Sequence, residues 1–178
     1  MKKNELFSGR LLLRPVELDD TDAIHGYAGD QSIAMMLNLP NETREETEAF
    51  VRSAVSEWKK EEPVDREYVI VYEGKVVGGI NLAYSESREV VEIGWIVHRD
   101  YRNKGIASEA AKRLIDYAFH VLSARKVIAH CDSGNAASEK VMKNVGMHLA
   151  DQRGTRVYPK TGVVSGELLY EITIDEKR

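Results

Sequence analysis

Residues 90–122 read VVEIGWIVHRDYRNKGIASEAAKRLIDYAFHVL and carry the clearest structural signal in the chain. Val90 to Val97 is rich in β-branched residues and predicts a strand, in which Gly94 marks either a bulge or a close backbone approach. From Ala107 to Leu122, apolar residues recur with helical period over four turns, and the alanines at the start allow close packing on a sheet. Arg99 to Lys104 lies between them as a polar turn. This stretch therefore predicts a strand, a turn and a long helix packed on a sheet.

The rest of the chain supplies further strands and helices on either side of this unit. The sequence predicts a strand from Arg10 to Pro15, a short helix after Asp22, and a helix capped by Thr43 with Glu46 three residues later. The later elements are a hairpin of Tyr68 to Tyr72 and Lys75 to Leu82, a strand from Lys126 to Cys131, a helix from Asn135 to Gly146, strands from Met147 to Arg153 and Glu167 to Ile174, and an exposed loop from Tyr158 to Gly162. The order β-α-α-β-β-β-α-β-α-β-β predicts an α/β fold, with one mixed sheet and helices on its faces, and a single domain over residues 1–178.

Composition excludes several classes of function. The formal net charge of −4 gives no electrostatic reason to expect nucleic-acid binding, which needs a basic surface. The apolar run from Leu11 to Leu13 is too short for a signal sequence, and no segment approaches a membrane span. The single cysteine, Cys131, cannot form an internal disulfide and fits a reducing compartment. We therefore expect a cytoplasmic protein that binds neither membranes nor nucleic acid.

The turn Arg102-Asn103-Lys104-Gly105-Ile106-Ala107 has the features of an anion site. The first turn of a helix exposes unpaired backbone amides at the positive end of its dipole. Gly105 and Ala107 have little or no side chain, so a diphosphate could approach the backbone closely, and Arg99 adds charge to that of Arg102 and Lys104. The turn has neither the Gly-Lys-Ser/Thr of a Walker A motif nor a Gly-x-Gly-x-x-Gly fingerprint. A basic turn without a ligand is the alternative.

Arg102-x-x-Gly105-x-Ala107 resembles the Arg/Gln-x-x-Gly-x-Gly/Ala motif of the GNAT superfamily of acetyl-CoA-dependent N-acetyltransferases. The strand Glu92 to Ile96 and the helix from Asn135 to Gly146 follow in the superfamily's order, and Arg10 to Pro15 is similar to the branch that acetylates ribosomal-protein N-termini. The resemblance covers essentially the whole chain. It implies a single GNAT-like domain with a mixed, mostly antiparallel central sheet, a splayed strand pair and helices on both faces.

The resemblance also implies roles for particular residues, with acetyl-CoA as co-substrate and no metal. Backbone amides of the phosphate turn would hold the pyrophosphate, the strand before it would pair with the pantetheine arm, and a helix-capping asparagine would shape the pocket near the thioester. The residues expected to bind the cofactor are Trp95, Ile96, Val97, Arg102, Asn103, Lys104, Gly105, Ile106, Ala107 and Asn135.

Attack by the amine is direct in this superfamily, so Cys131 is expected to be a core thiol rather than an acyl carrier. Glu92, beside the expected thioester, is the first candidate for the general base, with His130 and Asp132 as alternatives. Many family members carry a tyrosine that acts as the general acid seven residues after the asparagine, where this chain has Met142. Ser138 matches the serine that the ribosomal-protein branch has near the departing thiolate, so the resemblance implies that role for it.

The acceptor is expected to be a primary amine, either a protein N-terminus or a small molecule such as a polyamine, amino acid or antibiotic. A non-catalytic CoA-binding sensor is the alternative, and related proteins are monomers or homodimers. Substrate identity is expected to depend on the segments from Thr21 to Lys60 and from Arg153 to Gly166. Four aromatic residues are candidates for the pocket wall or for the core: Trp58, Tyr84, Trp95 and Tyr158.

Overall fold

Eight strands form one sheet in the computed structural model of the protein, which describes residues 4–30 and 41–177. Their spatial order is β1-β2-β3-β4-β5-β6-β8-β7. Every neighbouring pair is antiparallel except β5 and β6, which are parallel because the helix α3 connects them. The strands are β1 Leu6–Ser8, β2 Leu11–Pro15, β3 Asp65–Tyr72, β4 Lys75–Tyr84, β5 Val90–Val97, β6 Lys126–Asp132, β7 His148–Val157 and β8 Val164–Thr173.

Within the described residues, four α-helices cover the sheet, two on each face. They are α1 Thr21–Ala28, α2 Arg44–Trp58, α3 Ile106–His120 and α4 Ala136–Asn144. The helices α1 and α2 pack on one face, where Ile24, Tyr27 and Val51 meet Val69 of β3. On the other face α3 buries its apolar stripe, including Leu114 and Ile115, against the sheet. The mixed, mostly antiparallel sheet with helices on both faces is confirmed.

The alternation of side chains along each strand decides which residues reach the two faces. Val91 and Ile93 of β5 belong to the core beneath α3, whereas Ile96 packs on the α1 and α2 side. Glu92 and Gly94 alternate with Val91 and Ile93 and therefore lie on the face beneath α1 and α2. Glu92, the first candidate base, and Gly94, near the expected thioester, thus share a face with these two helices.

The structure confirms the cap predicted at Thr43 and adds two features that the sequence analysis did not predict. Thr43 caps α2 by accepting from the Glu46 amide, and the Glu46 carboxylate also accepts from the Glu42 amide. The three-residue strand β1 was absent from the sequence prediction, because so short a segment carries no measurable periodicity. None of the helices within residues 4–30 and 41–177 is long and apolar enough to cross a lipid bilayer.

Candidate active site

The first turn of α3 presents backbone amides that none of the described residues binds. Gly105 is the N-cap residue, with φ of 75°, and offers no side chain to cap the helix. Among the described residues, no carbonyl or side chain accepts a hydrogen bond from the amides of Gly105, Ile106 or Ala107. Asn103 also has a positive φ, of 61°, so the chain turns sharply before the helix begins. The buried Ile106 side chain fixes this turn to the core. The predicted anion site therefore has free donors at the positive end of a helix.

Basic side chains surround this turn, and they contact carbonyls and rings rather than its amides. Arg102 donates through Nε to the carbonyl of Val97, at 3.1 Å, and its Nη2 lies 3.4 Å from Oδ2 of Asp30. The ammonium of Lys104 lies 4.8 Å from the centre of the Tyr101 ring. Arg102 thereby ties the turn to the end of β5, and it occupies the Val97 carbonyl that was expected to face pantetheine.

Arg10 is a basic residue near this turn that the sequence analysis did not place there. Its guanidinium bonds the Glu109 carboxylate, with Nε 2.8 Å from Oε2, and donates through Nη2 to the carbonyl of Lys104. The same Nη2 would lie 3.4 Å from a Cβ added at Gly105. The residue is 99 positions from Glu109, so no local pattern in the sequence indicates the contact.

The strands β5 and β6 separate part-way along their length. Their pairing ends at Glu92 opposite Ile128, although β5 continues to Val97 and β6 to Asp132. On its other side β5 stays paired with β4 as far as Val97. The edge of β5 beyond Glu92 therefore faces a gap, and this confirms the splayed strand pair.

Gly94 makes room for a neighbouring side chain. The β4–β5 register runs without interruption past this position, so no bulge occurs in that pairing. A Cβ added at Gly94 would lie 2.8 Å from Oδ1 of Asn81 on β4. The sequence allowed a bulge or a close backbone approach, whereas the close neighbour in the structure is the Asn81 side chain.

A cavity of about 550 Å³ lies beneath α1 and α2 and reaches the gap between β5 and β6. Trp95 and Ile96 line it from β5, and Asn135 and Ser138 line it from the start of α4. Of the four aromatic residues named as candidates for its wall, only Trp95 lines it. Trp58 and Tyr84 pack against the core, and Tyr158 is buried at 4% exposure. Residues 31–40 of the segment expected to set specificity lie outside the described residues.

Glu92 is the last residue of β5 that pairs with β6, and its side chain lies at the cavity wall. Its carboxylate Oε1 is 2.8 Å from Nδ1 of His130 on β6, and about half of the Glu92 side chain is exposed. The hydrogen bond and the negative charge of Glu92 raise the pKa of His130 above its usual value. The first candidate base and one of its alternatives thus form a single ion pair when His130 is protonated.

The helix α4 begins at the cavity with the predicted cap. Asn135 accepts from the Ser138 amide at 3.0 Å through Oδ1, which confirms its capping role. Ser138 then lies in the first turn with its hydroxyl free of hydrogen bonds to the described residues. Met142 is buried in the core, so its position supplies no acid.

Tyr158 was expected in an exposed loop, and this expectation is wrong. Its hydroxyl donates to Oδ2 of Asp132 at 2.6 Å, and the other Asp132 oxygen accepts from the amide of Gly134 at 2.8 Å. The carbonyl of Asp132 also accepts from the Asn135 amide. Asp132, an alternative candidate for the base, is therefore engaged in holding the turn that leads to α4.

Two titratable residues of the cavity were not singled out from the sequence. Glu67 of β3 and Tyr27 of α1 both line it. Burial and the charge of Asp65 raise the pKa of Glu67 to about 8. Strand alternation gave a usable signal, because Glu67 shares a face with the buried Val69.

Cys131 is buried near the end of β6, as expected of a core thiol. Burial raises the pKa of its thiol to about 11, so the thiolate is scarce at neutral pH. The residue is poorly suited to carry an acyl group.

Comparison with known proteins identifies the family. The family model of the acetyltransferase (GNAT) domain matches residues 10–148. The chain belongs to the GNAT acetyltransferase family. A GNAT enzyme of this type is an N-acetyltransferase. The uncharacterized N-acetyltransferase YnaD of Bacillus subtilis is 32% identical to this chain over 138 residues, which cover 78% of this chain and 79% of YnaD.

Two further relatives differ in the acceptor that their names give. The spermidine N(1)-acetyltransferase of Escherichia coli is 26% identical to this GNAT chain over 166 residues, covering 92% of this chain and 78% of that enzyme. The solved structure of RimL, a ribosomal L7/L12 α-N-protein acetyltransferase in complex with coenzyme A, superposes with a TM-score of 0.85 at 19% identity. It covers 97% of this chain and 99% of RimL, and it shows the same fold.

Proposed function

We propose that the protein moves the acetyl group of acetyl-CoA to a primary amine, which attacks the thioester directly within a ternary complex. The observation that carries this proposal is one cavity that joins the open edge of β5 to acidic residues beneath α1 and α2. A thioester in the gap and an amine in the cavity would meet near Gly94.

The residues present fit a coenzyme A molecule. The free amides of Gly105, Ile106 and Ala107 would hold its diphosphate, together with the backbone of residues 102–104. The edge of β5 at Trp95 and Ile96 would pair with the pantetheine amides in the manner of an added strand. Acetyl-CoA supplies an acetyl thioester with an electrophilic carbonyl carbon.

The protein's own groups would then serve the transfer in three ways. A backbone amide at the open edge of β5 would donate to the carbonyl oxygen as negative charge develops there. The free hydroxyl of Ser138 would donate a hydrogen bond to the departing sulfur. The side chain of Asn135 would keep Ser138 in place through its bond to the Ser138 amide. The role of Glu92 as base stays a prediction.

The acceptor is a primary amine that carries positive charge before reaction. Glu92 lines the cavity, and a carboxylate there would attract an ammonium group. The names of the E. coli spermidine enzyme and of RimL give two acceptor classes, a polyamine and a protein N-terminus. Both classes present a primary amine, so both belong in the same test.

The experiment is a screen for amine-stimulated release of free thiol from acetyl-CoA. Spermidine, spermine, amino acids, an aminoglycoside and short peptides with free N-termini are the acceptors, and the same peptides with acetylated N-termini are the matched controls. We expect at least one free amine to accelerate release and its blocked counterpart to have no effect. Measurable CoA binding in calorimetry without stimulation by any amine would instead support a non-catalytic sensor.

A further inference from the structure

Glu67 lies in the same row of the sheet as the expected site of the thioester. Its Cα partner on β4 is Asn81, and the partner of Asn81 on β5 is Gly94. Residues directly opposite in antiparallel strands project from the same face, at roughly 5 Å per step between strands. Glu67 therefore projects into the cavity about two such steps from Gly94. The intervening Asn81 side chain lies above Gly94, with Oδ1 2.8 Å from a Cβ added there, and all three residues line the same cavity.

The carboxylate of Glu67 has no polar partner among the described residues. The indole Nε1 of Trp58, at 2.7 Å, and the amide of Val16, at 3.2 Å, both donate to its backbone carbonyl instead. The hydroxyl of Tyr27 lies nearby, 3.0 Å from a Cβ added at Gly79, and it also faces the cavity. An unpartnered carboxyl group in a cavity next to the reaction site is free to bind a substrate proton.

Glu92 is placed less well for this task. Its carboxylate is exposed, and Oε1 already contacts Nδ1 of His130 at 2.8 Å, whereas the Glu67 carboxylate has no such partner among the described residues.

We propose that Glu67 is the general base that accepts the proton of the acceptor amine, directly or through one water molecule. This inference rests on the proposed function. An ammonium group gives one proton to the Glu67 carboxylate, and the neutral nitrogen forms a bond to the thioester carbon. The carbon–sulfur bond then breaks, the second nitrogen-bound proton passes to the departing sulfur, and the products are an amide and free CoA thiol. Glu67 returns its proton to solvent.

The groups that face Glu67 account for its titration. Asp65 on its own strand adds negative charge and raises the pKa of Glu67, together with burial. Tyr27 faces it from α1 and is kept neutral, because burial and the charges of Glu67 and Asp20 raise the tyrosine pKa. Asn81 of β4 does not titrate, and α2 contributes the apolar Phe50. The pKa of about 8 for Glu67 is close to that of an α-amino group. Transfer of a proton from an α-ammonium group to the Glu67 carboxylate therefore changes the free energy little.

The test compares the pH dependence of kcat in the wild type, Glu67→Gln and the matched variant Glu92→Gln. An acceptor found in the thiol-release screen is used in two forms, with amine pKa values near 8 and near 10. A pH profile set by a group of the enzyme is the same with both amines, whereas a profile set by the amine shifts with the amine pKa. We expect the wild-type kcat to fall about tenfold per pH unit below about pH 8. Glu67→Gln should reduce kcat by about 10²–10⁴-fold and abolish that limb, whereas Glu92→Gln should keep it. Calorimetry should show unchanged CoA affinity in both variants.

The outcomes separate the two proposals. A wild-type enzyme that no amine stimulates would refute the transferase function and the base role together. A wild-type enzyme that turns over, with Glu67→Gln equally active and its pH limb intact, would refute the role of Glu67 alone. Loss of the limb in Glu92→Gln but not in Glu67→Gln would return the role to Glu92.

Discussion

Replacing Gly105 with valine is expected to abolish tight CoA binding. Gly105 has φ of 75°, where a residue with a Cβ is strained by about 1–2 kcal/mol, and the added Cβ would lie 3.4 Å from Nη2 of Arg10. Relieving this strain would rotate the amides of the first turn away from the diphosphate. Loss of two amide–phosphate bonds, at about 1.5 kcal/mol or more each, raises the Kd for CoA roughly a hundredfold. Isothermal titration calorimetry measures it.

Gly162 provides the matched control for this substitution. It lies in the β7–β8 turn with φ of 70°, and no atom lies within 4 Å of an added Cβ. Gly162→Val should lose as much stability as Gly105→Val, about 2–8 °C in Tm, and bind CoA like the wild type. Equal CoA affinity in the two variants would refute the phosphate role of the α3 amides.

Three further predictions concern groups around the cavity. The elevated pKa of His130 means that its pairing with Glu92 stabilises the fold below the ordinary histidine pKa, and this contribution disappears as pH rises through the elevated value. Glu92→Gln should therefore lower the His130 pKa in NMR titration, and an unchanged value would contradict the pairing. Tyr158→Phe should reduce the free energy of unfolding by about 1.5–3 kcal/mol in urea denaturation, because it removes a buried bond to the Asp132 carboxylate; no loss would contradict that bond. Cys131, with a thiol pKa of about 11, should react with iodoacetamide at pH 8 far more slowly in the folded than in the unfolded protein, and equal rates would contradict its burial.

Much of the fold is predictable from the sequence because it depends on local periodicity. The apolar stripe of α3 and the alternation in β5 specify a helix on a sheet whatever lies elsewhere in the chain. Thr43 and Asn135 cap their helices as short-range rules require. The sequence analysis did not predict the three-residue strand β1, because its pairing with β2, rather than its own sequence pattern, makes it a strand.

The site is predictable only where it is contiguous in sequence. The phosphate turn is a single stretch, so its free amides follow from Gly105 and the start of α3. The position of Glu67 relative to Gly94 emerges only when β3, β4 and β5 are placed in register. The contact of Arg10 emerges only when Glu109 of α3, 99 positions away, is packed beside it. Tyr158 was assigned to an exposed loop because nothing near it in the sequence indicates its partner Asp132.

A crystal structure with bound coenzyme A tests the central claim most directly. The claim is that free amides of α3 bind the diphosphate while the gap beyond Glu92 receives the pantetheine arm. The structure should show phosphate oxygens within about 3 Å of the amides of Gly105, Ile106 and Ala107, with pantetheine paired to the open edge of β5. Coenzyme A bound elsewhere, or a gap closed by pairing of β5 with β6, would contradict it.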